Sequence, residues 1–457
     1  MIKKKFSIRL QKIVTSYFKG QFDSSFSALK KLSEESQDFI SGEDSRALRQ
    51  VMSVFYLGQL LDLPSLHGIL LAHDIPLTTH QVKYKRLCNK LTNNKLRTIF
   101  ESIFADVLRK KLIELSIKSD ATWSRMEVTA VLDDSVFRQW LDLVFGDDDY
   151  YKSWFSGQIG RTAQGYKVLT FGVVIEGVFY PLFLDFVKIG VKIGTKNDAQ
   201  HIPTAVRAVE KWGKFIAEIE KEGTKIRKIP LSCDNGYSSS LLETACSDNN
   251  LDYISVPKKN NLISFYQPQK HDTFEMSIAQ FIETEFLPQE DRHNLEQKDE
   301  QKDEKDEKDE KEPFVIRKRA FYKVMGMVVT FLFFRLNKSK KVSVIYCPDK
   351  NITAKTLRRR WFQRTQIEQF FRMLKHTLNI QAAKTTNKDK FEIKLFRFSF
   401  IALHAQLFTR FVRKKIPDYK RFGFEQIRRC ILFKLKNIDI LDKLMKYLFH
   451  PKAYLND

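Results

Sequence analysis

A chain of 457 residues, 43% of them apolar, is long enough for two or three cores and apolar enough to fill them. Its 78 Lys and Arg against 55 Asp and Glu leave a formal charge of +23; the acidic run 298–312 holds five Lys against nine Asp and Glu, a net of −4, so the rest sums to +27. Such a field gathers polyanions. The five cysteines form no CxxC pair, and the longest apolar run, Val324–Phe334, is too short to span a bilayer. These features argue against a zinc finger, a disulfide scaffold and a membrane protein. Arg9 and Lys12 interrupt the apolar stretch that a secretory signal would need, so a cytoplasmic protein is expected.

Residues 1–120 read as helices, with apolar positions recurring at three and four (Phe55, Leu57, Leu60, Leu61) and few Gly or Pro. Within them, Leu63–His67 opens one short helix and Leu77–His80 a second that carries Lys83, Lys85, Arg86 and Lys90. A helical pair whose second member is basic suits entry into a DNA major groove.

From about residue 121 the texture turns to strands, and 121–260 is expected to be the first part of an α/β core. Glu127–Leu132 is a β-prone run ending in Asp133-Asp134-Ser135. Lys167–Ile175 and Val178–Val187 flank Glu176-Gly177, a hairpin turn. A helix is predicted over Ile202–Lys221, then a strand over Ile226–Cys233 that terminates in Asp234, a helix over Ser238–Cys246 and a strand over Tyr253–Val256. That alternation predicts a mixed sheet layered with helices. Residues 261–340 read as an inserted subdomain, β-rich in its second half and interrupted by the low-complexity linker 298–312. The core resumes over 341–387, and 388–457 is again helical and basic.

The stretch Trp361–Lys375 organises the rest. On a helix, Arg364, Glu368, Arg372 and Lys375 follow at steps of four, four and three and share one face, while Ile367, Phe370, Phe371 and Leu374 form an apolar stripe. One carboxylate is thereby held among cations suited to phosphates. Asp133 and Asp234 each follow an apolar strand, and together with Glu368 they supply oxygen ligands of the kind that hard divalent ions select. Two such ions roughly 3.5–4 Å apart serve phosphodiester chemistry.

With these residues the sequence resembles the DDE transposases of bacterial insertion sequences, in the group with a Tyr-Arg-Glu-Lys signature. Trp361, Arg364, Glu368 and Lys375 stand at its spacings, with Trp in place of Tyr. Leu132-Asp133-Asp134-Ser135 is similar to the family's first aspartate motif, Cys233-Asp234-Asn235-Gly236-Tyr237 to its second, and Arg358-Arg359-Arg360-Trp361 to the entry into its glutamate helix. The resemblance implies an RNase H-like, mixed-sheet α/β catalytic core, interrupted by an insertion and flanked by helical N- and C-terminal regions. It implies two Mg²⁺ or Mn²⁺ ions on Asp133, Asp234 and Glu368, with Asp134 the alternative to Asp133. Trp361, Arg364, Lys375, Arg358, Arg359 and Arg360 would contact double-stranded DNA at transposon terminal inverted repeats and target. A homodimer joining two ends, in a bacterial cytoplasm and nucleoid-associated when on DNA, follows from the same likeness. Two other readings share the basic charge: a transposase-derived repressor without catalysis, and another RNase H-like nuclease.

Overall fold

The computed structural model describes residues 12–35, 40–60, 91–117, 128–138, 150–156, 161–188, 201–267, 272–300, 314–335, 341–381 and 388–434. The expected groove-reading pair at 63–90, most of the acidic linker and the tail beyond 434 lie outside the described residues.

Helices α1 (Ser27–Glu35), α2 (Gly42–Leu60) and α3 (Asn93–Ser116) form the N-terminal part, following a helical segment that contains the π turn Phe18–Phe22. Thr92 caps α3 by accepting from the Lys95 amide at 3.4 Å. The first sheet holds β1 (Thr129–Arg138), β2 (Tyr151–Ser156), β3 (Arg161–Ile175), β4 (Val178–Phe186), β5 (Ile229–Cys233) and β6 (Leu251–Ile254). Its order is β3-β1-β5-β6, with β2 on the first half of β3 and β4 on the second. Strands β1, β5 and β6 run parallel, whereas β3 is antiparallel to both β1 and β4.

The predicted hairpin is present, and its turn residues Glu176 and Gly177 adopt φ of 52° and 75°, the left-handed pair that a two-residue turn requires. A bulge between Phe171 and Gly172 lets β4 cross close: a Cβ on Gly172 would stand 2.3 Å from the Tyr180 carbonyl oxygen. Helix α4 (His201–Lys221) covers this sheet with Ala205, Ala208, Val209, Trp212, Phe215, Ile216 and Ile219, a stripe at steps of three and four. Helix α5 (Ser240–Asp248) connects β5 to β6.

The second sheet runs β11-β10-β9-β7-β8, built from β7 (Leu262–Gln267), β8 (Asp272–Ser277), β9 (Val315–Tyr322), β10 (Met327–Arg335) and β11 (Val342–Cys347). Helices α6 (Ile278–Phe281) and α7 (Leu287–Glu300) lie between β8 and β9 in sequence, and the ring of Phe281 packs 4.4 Å from that of Phe333. Strands β7 to β10 fall within 261–340, the span expected as an insertion, and the sheet they form continues through β11. Arg317 and Arg319 both donate to the Lys350 carbonyl, at 2.7 and 2.6 Å, and clamp the turn that follows β11.

Helix α8 (Ala354–Phe362), capped by Thr353, and α9 (Thr365–Arg372) lead into the π turn Met373–Thr377. A single helix through Trp361–Lys375 was the expectation; the structure tightens the chain at Gln363-Arg364. There the amides of Gln363 and Arg364 bond back three residues, to Arg360 and Trp361, at 3.2 and 3.1 Å. Trp361 consequently belongs to α8 and packs in a second core with Ile254, Leu332, Phe334 and Leu357, while Ile367, Phe370 and Leu374 enter the main core as predicted.

Helix α10 (Lys388–Lys415) is buried on two sides. Phe391 lies against Tyr166 and Phe186 of the first sheet, and Phe400, His404 and Phe408 seat Tyr17, Phe22 and Tyr56 from the N-terminal helices. Helix α11 (Phe424–Lys434) follows. Among the described residues no helix is long and apolar enough to cross a membrane.

Candidate active site

The sequence places Asp133 at a strand end; the structure shows that this holds on one side only. Pairing of β1 with β5 stops at Leu132–Cys233, but pairing with β3 continues to Arg138. Asp133 thus sits mid-strand at the point where its parallel neighbour leaves. Asp234 is the residue after that same last pair, so the two carboxylates emerge side by side from adjacent parallel strands. Asp234 then caps a 3₁₀ turn, Asn235–Tyr237, accepting from the Asn235 amide at 2.8 Å.

Helix α9 brings the third carboxylate through an arginine. Arg364 Nη1 donates to Asp133 Oδ2 at 3.1 Å, and Nη2 lies 2.7 Å from Glu368 Oε1. Its guanidinium also lies 5.1 Å from the centre of the Trp361 ring. One cation therefore spans two of the predicted ligands and shields both. Burial pushes the Asp133 carboxyl up to about 7; Arg364 opposes that rise, and the charges of Asp134 and Asp234 add to it. Among the described residues no three His, Cys, Asp or Glu side chains converge on one ion-sized point. The donors gathered here are nevertheless all carboxylate oxygens, with one of them desolvated beside two like charges, which suits a hard divalent cation.

The other predicted residues divide. Lys375 Nζ reaches back to β1, donating to Ser135 Oγ at 2.6 Å and lying 5.2 Å from the centre of the Phe137 ring. Arg359 is exposed; Arg358 instead lies over the rings of Phe334 and Phe362, at 5.7 and 5.6 Å, and Arg360 offers its carbonyl to Ser232 Oγ at 3.3 Å.

Sequence reasoning preferred Asp133, which follows the apolar run directly, kept Asp134 as its alternative, and missed three residues around it. Asp134 Oδ2 accepts from Tyr237 Oη at 2.5 Å and pairs with Lys167 Nζ at 3.1 Å. Behind them His201 shares a hydrogen bond with the Gly236 carbonyl at 2.9 Å and meets the Tyr237 ring edge-on. The only trace of this in the sequence was Tyr237 closing the second aspartate motif.

Residues 178–403 match the family described as Transposase DDE domain. That span contains Asp234 and Glu368 but begins at β4, after Asp133. No curated protein matches the chain. Among solved structures, the chain is similar to a crystal structure of Ciona intestinalis Endonuclease V in complex with a 23mer DNA containing an inosine followed by a ribo-adenosine. Identity is 12%, coverage is 55% of this chain and 83% of that one, and the TM-score is 0.24, too low to carry an argument about fold or function.

Proposed function

We propose that the protein is a transposase that cleaves DNA at transposon ends and transfers the freed strand into target DNA. The observation that carries this is the convergence of Asp133 and Asp234 on neighbouring parallel strands, with Arg364 joining Asp133 to Glu368. The match of residues 178–403 to a transposase domain supports it. So does the strand order β4-β3-β1-β5-β6, antiparallel on one side of β1 and parallel on the other, the order that an RNase H-like reading calls for.

In this reading Asp133, Asp234 and Glu368 hold two Mg²⁺ or Mn²⁺ ions. When bound, such ions supply positive charge to the attacking and leaving oxygens of an in-line displacement. The chain supplies the remainder. Arg364 and Lys375 grip the phosphates beside the reacting bond, and the exposed Arg359 extends that grip along the duplex. Trp361 holds the guanidinium plane of Arg364 by its ring face. A homodimer would hold the two ends against one target.

The test starts from the DNA flanking the gene, searched for short inverted repeats. A labelled repeat end is incubated with the purified protein and Mg²⁺, beside Glu368→Gln. Cleavage at the repeat boundary that disappears in the variant while binding persists is expected. Binding without cleavage by either protein in Mg²⁺ or Mn²⁺ would replace this reading by a repressor; cleavage indifferent to end sequence and without strand transfer would replace it by a nuclease.

A further inference from the structure

The backbone ladder that holds the two aspartates together ends one residue before either of them, at Leu132–Cys233. Beyond it, the turn carrying Asp234 departs from β1, and a side-chain bridge crosses the gap: the 2.5 Å bond from Tyr237 Oη to Asp134 Oδ2. Tyr237 is 2% exposed, and Lys167 on β3 holds the same carboxylate oxygen of Asp134. The far side of the turn is pinned as well. Ser255 Oγ donates to the Asp234 carbonyl at 3.1 Å, Tyr253 Oη donates to the Tyr237 carbonyl, and Ser238 and Tyr346 share a hydroxyl bond at 2.9 Å. The turn is thus fixed to the β6 side by two bonds, to β11 of the second sheet by one, and to the Asp133 side by the tyrosine.

We propose that Tyr237 and Asp134 are positioning residues that set the separation of the Asp133 and Asp234 carboxylates, so that Asp134 is a brace and not a metal ligand. The proposal rests on the metal-binding reading above. Asp134 alternates with Asp133 along the strand, so its side chain leaves the opposite face, and its Oδ2 atom is already engaged by a hydroxyl and an ammonium. Supporting groups of this kind typically change metal affinity about 10- to 100-fold when removed.

The experiment is Mn²⁺ binding to the full chain without DNA, read by calorimetry and by the electron paramagnetic resonance signal of free Mn²⁺. Tyr237→Phe keeps the ring and removes only the hydroxyl; its Mn²⁺ dissociation constant is expected to rise about tenfold. Asp134→Ala should weaken binding at least as much, because it also releases Lys167, and the double variant should bind no worse than Asp134→Ala, from which the tyrosine bond is already gone. Asp134→Asn retains a carbonyl acceptor for the tyrosine and should lie closer to the parent protein. Unchanged Mn²⁺ affinity in Tyr237→Phe overturns the brace. So does loss of binding in Asp134→Asn with Tyr237→Phe unaffected, which would make Asp134 the ligand. Asp133→Asn is the separate control: if it leaves Mn²⁺ binding intact, the metal site itself is refuted and the brace falls with it.

Discussion

Replacing Arg364 with Gln removes the cation between Asp133 and Glu368 and leaves a shorter methylene stem with a neutral amide. The two sides of that bridge differ in weight. Asp133 and Arg364 side chains are 16% and 17% exposed, whereas Glu368 is 39% exposed and its pair is heavily screened. Two unit charges about 4 Å apart at an effective dielectric of about 20 attract by about 4 kcal/mol, and the guanidinium's own desolvation offsets part of this. We expect Arg364→Gln to lose about 2 kcal/mol of stability at pH 8 in EDTA, where Asp133 without its counter-charge must either stay ionised uncompensated or take up a proton. Divalent ions should reverse the loss, because they compete with Arg364 for the same oxygens. A ligand at a hundredfold excess over its dissociation constant stabilises by about 2.7 kcal/mol, and the variant, lacking the competitor, should gain more than the parent. Urea unfolding of both proteins, with and without saturating Mg²⁺, measures this. The gap is expected to close to under about 1 kcal/mol in Mg²⁺. An equal loss in both conditions would show that Arg364 and the ion do not share a site, and no loss in EDTA would show that the bridge contributes nothing.

Three further outcomes follow from the packing. His404 is buried and neutral, its pKa pushed down to about 3, while the unfolded chain protonates near 6.5; its stabilisation is complete above about 6.5 and is lost as pH falls, by up to about 1.4 kcal/mol per unit. The stability of His404→Gln should fall less steeply between pH 6.5 and pH 4.5 in urea titrations, and parallel slopes would refute the assignment. Gly172→Ala forces a methyl against the Tyr180 carbonyl 2.3 Å away and should cost about 3 kcal/mol or more, read as a lower urea midpoint; a midpoint equal to the parent's would show that the bulge relaxes freely. Arg97 lies 2.8 Å from Glu392, which is 9% exposed, and also pairs with Glu101 and Asp185, so Arg97→Met should cost about 3 kcal/mol by removing the cation these carboxylates share, and Glu392→Gln in the same background should recover part of it.

What the sequence disclosed and what it hid have separate physical causes. Local chemistry was legible: Glu176-Gly177 could only be a tight turn, and the apolar stripe Ile367–Leu374 had to face a core. Register was not, because the β-prone run before Asp133 carries no sign that β3 would extend the strand to Arg138 while β5 stops short. The tightening at Gln363-Arg364 was equally silent, since both residues keep helical backbone angles and neither is a helix breaker. Asp133 could be preferred to Asp134 only for following the apolar run directly, because adjacent strand residues differ in the face they take, and the partner that distinguishes them, Tyr237, lies 103 positions away.

The seat on α10 bears on how the chain is made. Tyr17 bonds to His404 across 387 positions, and Tyr56 reaches the same residue across 348. At about 5–20 residues per second, a ribosome needs roughly 20–80 s to synthesise the socket after its occupants have emerged. Through that interval Tyr17, Phe22 and Tyr56 have no α10 to rest on, so a nascent chain truncated before residue 388 presents an uncovered aromatic face. Expression of N-terminal fragments alone is accordingly a route to aggregates, and supplying α10 as a separate peptide during their synthesis should keep them in solution.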